Sequence, residues 1–233
     1  MNIGILYNTF VCLITALVGF MVFLSLRKKR KKQEEKVSRG LDYFSLFSAL
    51  LWFASGVGTF SNWMNRPEIG RTIYKYFTGP LIYIHLVPAF NYFGWSFFKE
   101  NKKARQVFNG LFVLISGIAV VTLALYGFQQ PEMSYWGANV VPNDLANNIF
   151  IFGLFLPGFV CIMAELGKRV RRWNQRNNLE NKRRAGLALG YFLYALAGVF
   201  DALGSAQAWM TLLARSGVMV SFLIFYFFVT LEE

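Results

Sequence analysis

The sequence predicts an all-α membrane protein, a seven-transmembrane helix bundle with its N-terminus outside and its C-terminus cytoplasmic. Three observations predict this fold class: the composition, the spacing of the apolar blocks and the distribution of the basic residues. Of the 233 residues, 55% are hydrophobic and only 15% are charged, whereas a soluble domain contains about 25% charged residues. The charge is concentrated in short links between apolar blocks.

The apolar blocks give the predicted helices in order. Each is about 20 residues long, which is the length that crosses the hydrocarbon core of a bilayer. The basic cluster follows the first block instead of preceding it, so we expect that block to be a helix and not a cleavable signal. No linker is long enough to separate two domains, so residues 1–233 are expected to form a single transmembrane domain. The predicted spans are 4–26, 42–64, 74–98, 106–128, 145–167, 185–205 and 209–230.

The basic residues predict the orientation of the chain. Three links, at 27–39, 99–105 and 168–184, contain 20 of the 24 lysines and arginines. Basic links favour the cytoplasmic side of a membrane. We therefore expect these three links on the cytoplasmic side of a bacterial cytoplasmic membrane. A net charge of +12 would suggest a nucleic-acid partner for a soluble chain. Here the expected partner of the charge is anionic lipid of the bilayer, and no nucleic acid is expected.

The third block contains the only histidine of the chain between two prolines, in the segment GPLIYIHLVPAF. Pro80 and Pro88 each remove a backbone donor and bend the helix, which frees carbonyl groups. His85 lies about ten residues into the block, close to mid-membrane at about 1.5 Å per residue. Polar groups at that depth are costly and often functional. Two interpretations remain open: His85 lines a polar pocket, or it is a neutral histidine bonded to a carbonyl of a neighbouring helix.

Two charges in the last two blocks are predicted to lie at the same depth. Asp201 and Arg215 each lie seven residues from Ala208, which is near the middle of the turn between these blocks. Facing each other across a helical hairpin, they would neutralise each other. The pair is either a structural connection or part of an outward-facing binding pocket. Asn91 and Gln207 are further candidates for that pocket, as is Asn62.

The outer link at 126–144 contains two prolines, two glycines and several aromatic residues. It is too apolar for a flexible connector. Two interpretations remain open: a lid that folds back over the bundle, or an ordinary ordered loop.

The missing chemistry excludes most enzyme classes. One histidine cannot supply a multi-histidine metal site, and no phosphate-binding loop, HExxH or GxSxG motif occurs. We therefore expect no enzyme activity, no catalytic residue, no metal site and no cofactor. The stretch RTIYKYFTGPL at 71–81 is superficially similar to the third helix of microbial rhodopsins. A retinal Schiff base needs a lysine in the last span, and every lysine lies in or beside a link, so a retinal pigment is excluded.

Four stretches resemble the seven-helix N-terminal sensor region of bacterial membrane histidine kinases and related receptors. They are LFSALLWFASG in the second block, IYKYFTGPLIYIHLVPAFNYF in the third, NKRRAGLALGYFLYALAGVFDALG in the sixth and LLARSGVMVSFLIFYFF in the last. The resemblance implies a signalling membrane module. Only LEE follows the last block, so the family's cytoplasmic kinase or other output domain is not part of this sequence, and none of its catalysis is carried over.

Three functions remain open at this point. The first is a sensor or receptor module that passes an extracytoplasmic or intramembrane signal to a cytoplasmic partner or output domain. The second is a structural or accessory subunit of a larger complex, whose partners would be other membrane subunits. The third is a small-solute transporter, which the lack of two similar halves disfavours.

Overall fold

The computed structural model describes residues 3–33, 39–128, 132–134, 137–139, 142–171, 179–203 and 208–230. These residues are almost entirely helical, as the sequence predicts. A short antiparallel hairpin of two strands, β1 (Glu132–Ser134) and β2 (Gly137–Asn139), lies in the outer link. The helices are α1 (Ile3–Gln33), α2 (Arg39–Trp63), α3 (Pro67–Ile73), α4 (Gly79–Ile84), α5 (Leu86–Phe97), α6 (Lys102–Tyr126), α7 (Asp144–Asn148), α8 (Leu156–Arg171), α9 (Leu179–Leu203) and α10 (Ala208–Thr230).

Five helices within the described ranges are long and apolar enough to cross a membrane, which indicates a membrane protein. They match the first, second, fourth, fifth and seventh predicted spans. The apolar part of α9, Ala185–Phe200, is shorter, and the third predicted span is divided between several helices. A count of seven spans therefore stays a prediction. The five are Ile3–Lys29, Gly40–Trp63, Lys102–Tyr126, Asp144–Lys168 and Met210–Thr230.

The third helical stretch (residues 67–97) changes its helical pitch around its two prolines. A π-helical turn, Tyr74–Thr78, separates α3 from α4, and the helix is interrupted again at His85, between α4 and α5. The backbone N–H of Gly79 donates to the carbonyl of Tyr74, five residues earlier. A proline cannot donate and crowds the preceding turn. The widened turn directly before Pro80 relieves that crowding, and such turns are frequent at functional sites.

The fifth helical stretch (residues 144–171) repeats this device. A π-helical turn, Ile149–Phe155, joins α7 to α8, and the N–H of Leu156 donates to the carbonyl of Ile151. Pro157 follows immediately. Two stretches of the bundle thus each contain one widened turn directly ahead of a proline.

The helices pack around a common centre. α1 packs along α2 and α10, α10 along α9, and α9 against α8, while α5 contacts α2, α6 and α8. The large apolar side chains of α6 that point outward form the kind of surface that hydrocarbon covers. They are Val107, Leu111, Val113, Leu114, Ile118, Val121 and Leu125.

Aromatic rings form the centre of the bundle. The ring of Phe44 on α2 lies 4.9 Å from that of Tyr191 and 5.4 Å from that of Tyr194, both on α9. The same ring stacks with Phe222 of α10 at 6.4 Å between centroids. Offset and edge-to-face ring pairs of this kind stabilise a core beyond the area that they bury. Phe44 therefore connects α2 to both helices of the last hairpin.

The described parts of the link at 126–144 contact the bundle, and both interpretations of this link stay open. Strand β2 contacts α1 and α2. Phe128, at the start of the link, pairs with Pro142 near its end in an isolated antiparallel bridge. The ring of Phe128 lies where a Cβ atom on Gly79 would be, so the absence of a side chain at that position admits the ring. The base of the link is thereby fixed against the third helical stretch.

Candidate functional site

A cavity of about 230 Å³ lies inside the bundle. Its wall comes from α2, α9, α10 and the third and fifth helical stretches. Aromatic side chains supply a large part of the wall, among them Phe44, Trp52, Phe90, Phe150 and Tyr191. The cavity exceeds the volume of about 150 Å³ that holds benzene in an engineered protein cavity. Ligand sites in helical bundles commonly lie between the helices, as this cavity does.

His85 lies on the wall of this cavity and is only 4% exposed. Its Nδ1 is 2.9 Å from the carbonyl oxygen of Leu81, and its Nε2 is 2.9 Å from the hydroxyl of Tyr194. A carbonyl oxygen can only accept, so Nδ1 carries the proton and donates. In the neutral ring Nε2 is then an acceptor, and the hydroxyl of Tyr194 donates to it. Both nitrogens of a neutral imidazole are thus bonded.

The bond between His85 and Tyr194 joins the third helical stretch to α9. The His85 ring both lines the cavity and is hydrogen-bonded through its two nitrogens, so each of the two interpretations from the sequence holds in part. The carbonyl that it contacts belongs to its own helix instead of a neighbouring one. A neighbouring helix contributes the Tyr194 hydroxyl. Any change in the cavity that moves either ring acts on the contact between these two elements.

Pro80 and Pro88 shape the wall without forming it. The widened turn before Pro80 contributes Tyr74 and Thr78 to the cavity wall. Pro88 follows the interruption at His85 and is buried against the core.

Arg215 enters the cavity wall from α10 and is 7% exposed. Its Nη1 donates to the sulfur of Cys12 at 3.8 Å. The thiol of Cys12 in turn donates to Oδ1 of Asn8 at 3.8 Å. Arg215 thus reaches α1, which the sequence did not suggest. The predicted partner Asp201 lies on α9 with its side chain outside the described residues, as does the whole of Gln207, so the pairing stays a prediction.

Asn91 lies on a different side of the bundle from the cavity wall. Its Oδ1 accepts from Nδ2 of Asn109 on α6 at 3.0 Å. The amide pair connects α5 to α6. Asn91 thus connects two helices and does not line the cavity.

The cavity wall also includes Trp52, Thr78 and Tyr191, none of which was a site candidate from the sequence. Nε1 of Trp52, Oγ1 of Thr78 and the hydroxyl of Tyr191 are buried, and each lacks a hydrogen-bond partner within the described part of the chain. Nothing in the hydropathy pattern distinguishes a bonded hydroxyl from an unbonded one.

Phe128 and Pro142 of the link at 126–144 line one end of the cavity, together with Asn147 of α7. Near the C-terminal ends of α5 and α8, the third and fifth helical stretches are joined by polar contacts. The hydroxyl of Ser96 donates to Oε2 of Glu165 at 2.6 Å, and Nζ of Lys168 donates to the carbonyl of Ser96 at 3.3 Å. Glu165 is only 1% exposed.

The wall composition limits the chemistry of the site. It combines aromatic faces, a few hydroxyl and N–H donors, one imidazole and one guanidinium, which suits reversible binding of a mostly apolar molecule. No family model, no curated protein and no solved structure matches this chain.

Proposed function

We propose that this chain is a membrane-embedded sensor or receptor module that binds a small, mostly apolar molecule inside its bundle. In this proposal the bound molecule shifts helix packing, and a cytoplasmic partner reads that shift. The chain itself is non-catalytic. The observation that carries the proposal is the position of the His85–Tyr194 bond on the wall of the central cavity.

The location of this bond supports a role in transmission. It is a contact between two helical stretches at the place that a ligand would occupy. Because α9 follows the basic link at 168–184, which is predicted to be cytoplasmic, a displacement of α9 would be transmitted to that side. A ligand shifts such an equilibrium only by its difference in affinity between the two packings. A ligand that contacts His85 or Tyr194 in one packing and not in the other provides that difference.

The proposal includes the membrane arrangement. We propose that the chain crosses a bacterial cytoplasmic membrane seven times, with its N-terminus outside the cell and its C-terminus in the cytoplasm. The interrupted third stretch and the shorter apolar part of α9 complete the count. The third stretch packs against α2, α6 and α8, and α9 packs against α8 and α10. Irregular backbone is tolerated at membrane depth where protein or a cavity shields it.

Copurification tests the receptor function. The wild type, His85→Phe and Thr122→Val are each isolated from native membranes, and the copurifying proteins are quantified by mass spectrometry. Phenylalanine retains most of the ring volume but cannot bond Leu81 or Tyr194. We expect a cytoplasmic protein with the wild type, in an amount that changes severalfold with His85→Phe. Thr122→Val is the control, because the Thr122 hydroxyl bonds only within α6, to Ile118, at 2.8 Å.

Two results would contradict the proposal. Equal recovery of the cytoplasmic protein with the wild type and His85→Phe would leave His85 as a packing residue. Recovery in fixed stoichiometry with integral membrane proteins, independent of His85, would support the accessory-subunit function instead.

A further inference from the structure

The cavity wall contains a concentration of unsatisfied polar atoms. Trp52, Thr78 and Tyr191 are 8%, 3% and 3% exposed. Their Nε1, Oγ1 and hydroxyl oxygen have no hydrogen-bond partner among the residues that the structure describes. Folded proteins pair nearly all buried polar groups, since each one left unpaired costs about 1–3 kcal/mol. Three such atoms in the wall of one cavity require an explanation.

The chemistry of these atoms specifies their missing partner. The indole N–H of Trp52 can only donate, and the hydroxyls of Thr78 and Tyr191 can each donate one proton. Their common complement is an acceptor. The bonded polar groups of the wall have other roles: His85 is occupied by Leu81 and Tyr194. The unsatisfied donors belong to residues of α2, the third helical stretch and α9, which form different sides of the cavity wall.

The rest of the wall specifies the remainder of the ligand. The aromatic side chains present flat apolar faces, and such faces pair well with another ring in offset or edge-to-face geometry. The cavity of about 230 Å³ is half as large again as the cavity of about 150 Å³ that accepts benzene. A molecule of about two fused rings is therefore of a suitable size.

We infer that the cavity binds a small ring-containing apolar molecule with carbonyl-type oxygen, whose oxygen accepts from the unsatisfied donors of the wall. This inference rests on the proposed receptor function and specifies the ligand class of its site. Binding is reversible and forms no covalent bond. The rings of the ligand pack against the aromatic wall. A carbonyl oxygen has two lone pairs, so it accepts from at most two of the donors for which the described residues supply no partner.

A matched pair of probes tests the ligand class. 1-Indanone and indane have the same fused-ring skeleton, and only the former carries a carbonyl oxygen. Dissociation constants are obtained from the rise of the thermal unfolding midpoint with probe concentration, since a ligand that binds only the folded state stabilises it. The purified full chain is used without any partner. Because each probe partitions into detergent equally for every variant, comparison between variants cancels that contribution.

Substitutions that remove only the donors supply the decisive comparison. The wild type is expected to prefer 1-indanone over indane by at least about tenfold. In the double variant Thr78→Val, Tyr191→Phe this preference should fall by about fivefold to tenfold, while the affinity for indane stays the same. That change corresponds to about 1–1.4 kcal/mol, the magnitude of one net hydrogen bond.

Two glycine variants locate the binding. Gly198 lines the cavity, and a Cβ atom there would meet Phe155 at an ordinary contact distance of 3.4 Å. Gly198→Leu should therefore fold, occupy the cavity and weaken both probes. Gly117→Leu on α6 is the control, because nothing lies within 4 Å of its Cβ position.

Three results would overturn the inference. They are equal affinity of the wild type for both probes, a preference that the double variant leaves unchanged, and binding that Gly198→Leu does not weaken. Since no partner protein is present, any of them rejects the ligand class and leaves the copurification test of the receptor function unaffected. Conversely, the expected binding together with His85-independent copurification would reject the receptor function alone.

Discussion

Tyr191 and Tyr194 lie one helical turn apart on α9, and both line the cavity. The hydroxyl of Tyr194 is 2.9 Å from Nε2 of His85. The hydroxyl of Tyr191 has no hydrogen-bond partner in the described part of the bundle. Two tyrosines of the same cavity wall thus differ, because one hydroxyl is hydrogen-bonded and the other has no partner among the described residues. Packing of the rings alone would require neither hydroxyl.

The two tyrosines predict opposite responses to the same substitution. Tyr194→Phe leaves Nε2 of His85 buried and unbonded, which should lower the free energy of unfolding by about 1–3 kcal/mol. Tyr191→Phe removes a buried hydroxyl that has no partner, so without ligand the stability should stay equal or rise. Thermal unfolding of both variants in the same detergent measures the difference. A loss of equal size in both would show that hydrogen bonding does not distinguish them.

The depth of Tyr194 was available from the sequence, although its role was not. His85 lies 11 residues from the start of the predicted span 74–98, and Tyr194 lies 11 residues from the end of the predicted span 185–205. Both of these span ends are predicted on the outer side, and the rise per residue is constant in a helix, so the two residues are expected at one depth. Which of the facing residues bond depends on helix rotation and neighbour choice. A single sequence determines neither the rotation of a helix nor which helices are its neighbours.

The spans themselves were predictable at the scale of the element, but the widened turns were not. A bilayer requires about 20 apolar residues per crossing, so apolar length alone located α2, α6 and α10 within about four residues of their observed bounds, whereas α1 continues to Gln33, beyond the predicted end at 26. The π-helical turns Tyr74–Thr78 and Ile149–Phe155 leave hydropathy unchanged. Proline marks where a helix must change, but the same residue can produce a kink, a break or a widened turn.

The contact between α9 and α10 depends on two glycines of the segment GLALG. The rings of Phe228 and Phe225 lie where Cβ atoms on Gly186 and Gly190 would be. Small residues at such spacing let helices approach closely in a membrane. Phe225 also packs against Tyr191 at 5.0 Å between ring centroids. The glycines therefore determine where one aromatic side of the core lies.

Gly190→Ala is expected to destabilise this contact. Its Cβ atom would lie 2.7 Å from Cε1 of Phe225, and Phe225 is only 2% exposed, so the ring cannot move away freely. Overpacking of this kind costs about 1–3 kcal/mol. Gly117→Ala on α6 is the matched control, since its Cβ position is open and alanine is the better helix former. Thermal unfolding of the two variants checks the difference, and equal midpoints would contradict the close approach.

At the scale of the whole molecule, the surface and the interior differ in their chemistry. Large apolar side chains such as Leu125 and Phe227 are 72% and 60% exposed, which is suited to hydrocarbon and not to water. Polar residues such as Asn8, Thr15 and Ser48 are fully buried. This inverted distribution agrees with the membrane class predicted from composition. This distribution does not determine the orientation of the chain across the membrane, which is predicted from the charge of the links.

The orientation can be tested at two positions on opposite predicted sides. The basic links at 27–39, 99–105 and 168–184 are predicted to be cytoplasmic because moving their charge outward is unfavourable during insertion. Asn139 lies in β2, and Gln175 lies in the basic link at 168–184. Each is replaced by cysteine in a Cys12→Ala, Cys161→Ala background, and intact cells are treated with a membrane-impermeant maleimide.

We expect labelling of Asn139→Cys in intact cells and labelling of Gln175→Cys only after the membrane is opened. The result has a consequence for the cavity, because Phe128 and Pro142 at its outer end belong to the same link as Asn139. External labelling of Asn139→Cys would mean that this end of the cavity faces the outside, where an extracytoplasmic signal arrives. Labelling of Gln175→Cys alone would reverse the orientation. The link at 126–144 would then face the cytoplasm, and under the proposed receptor function the signal would have to come from inside the cell or from the lipid.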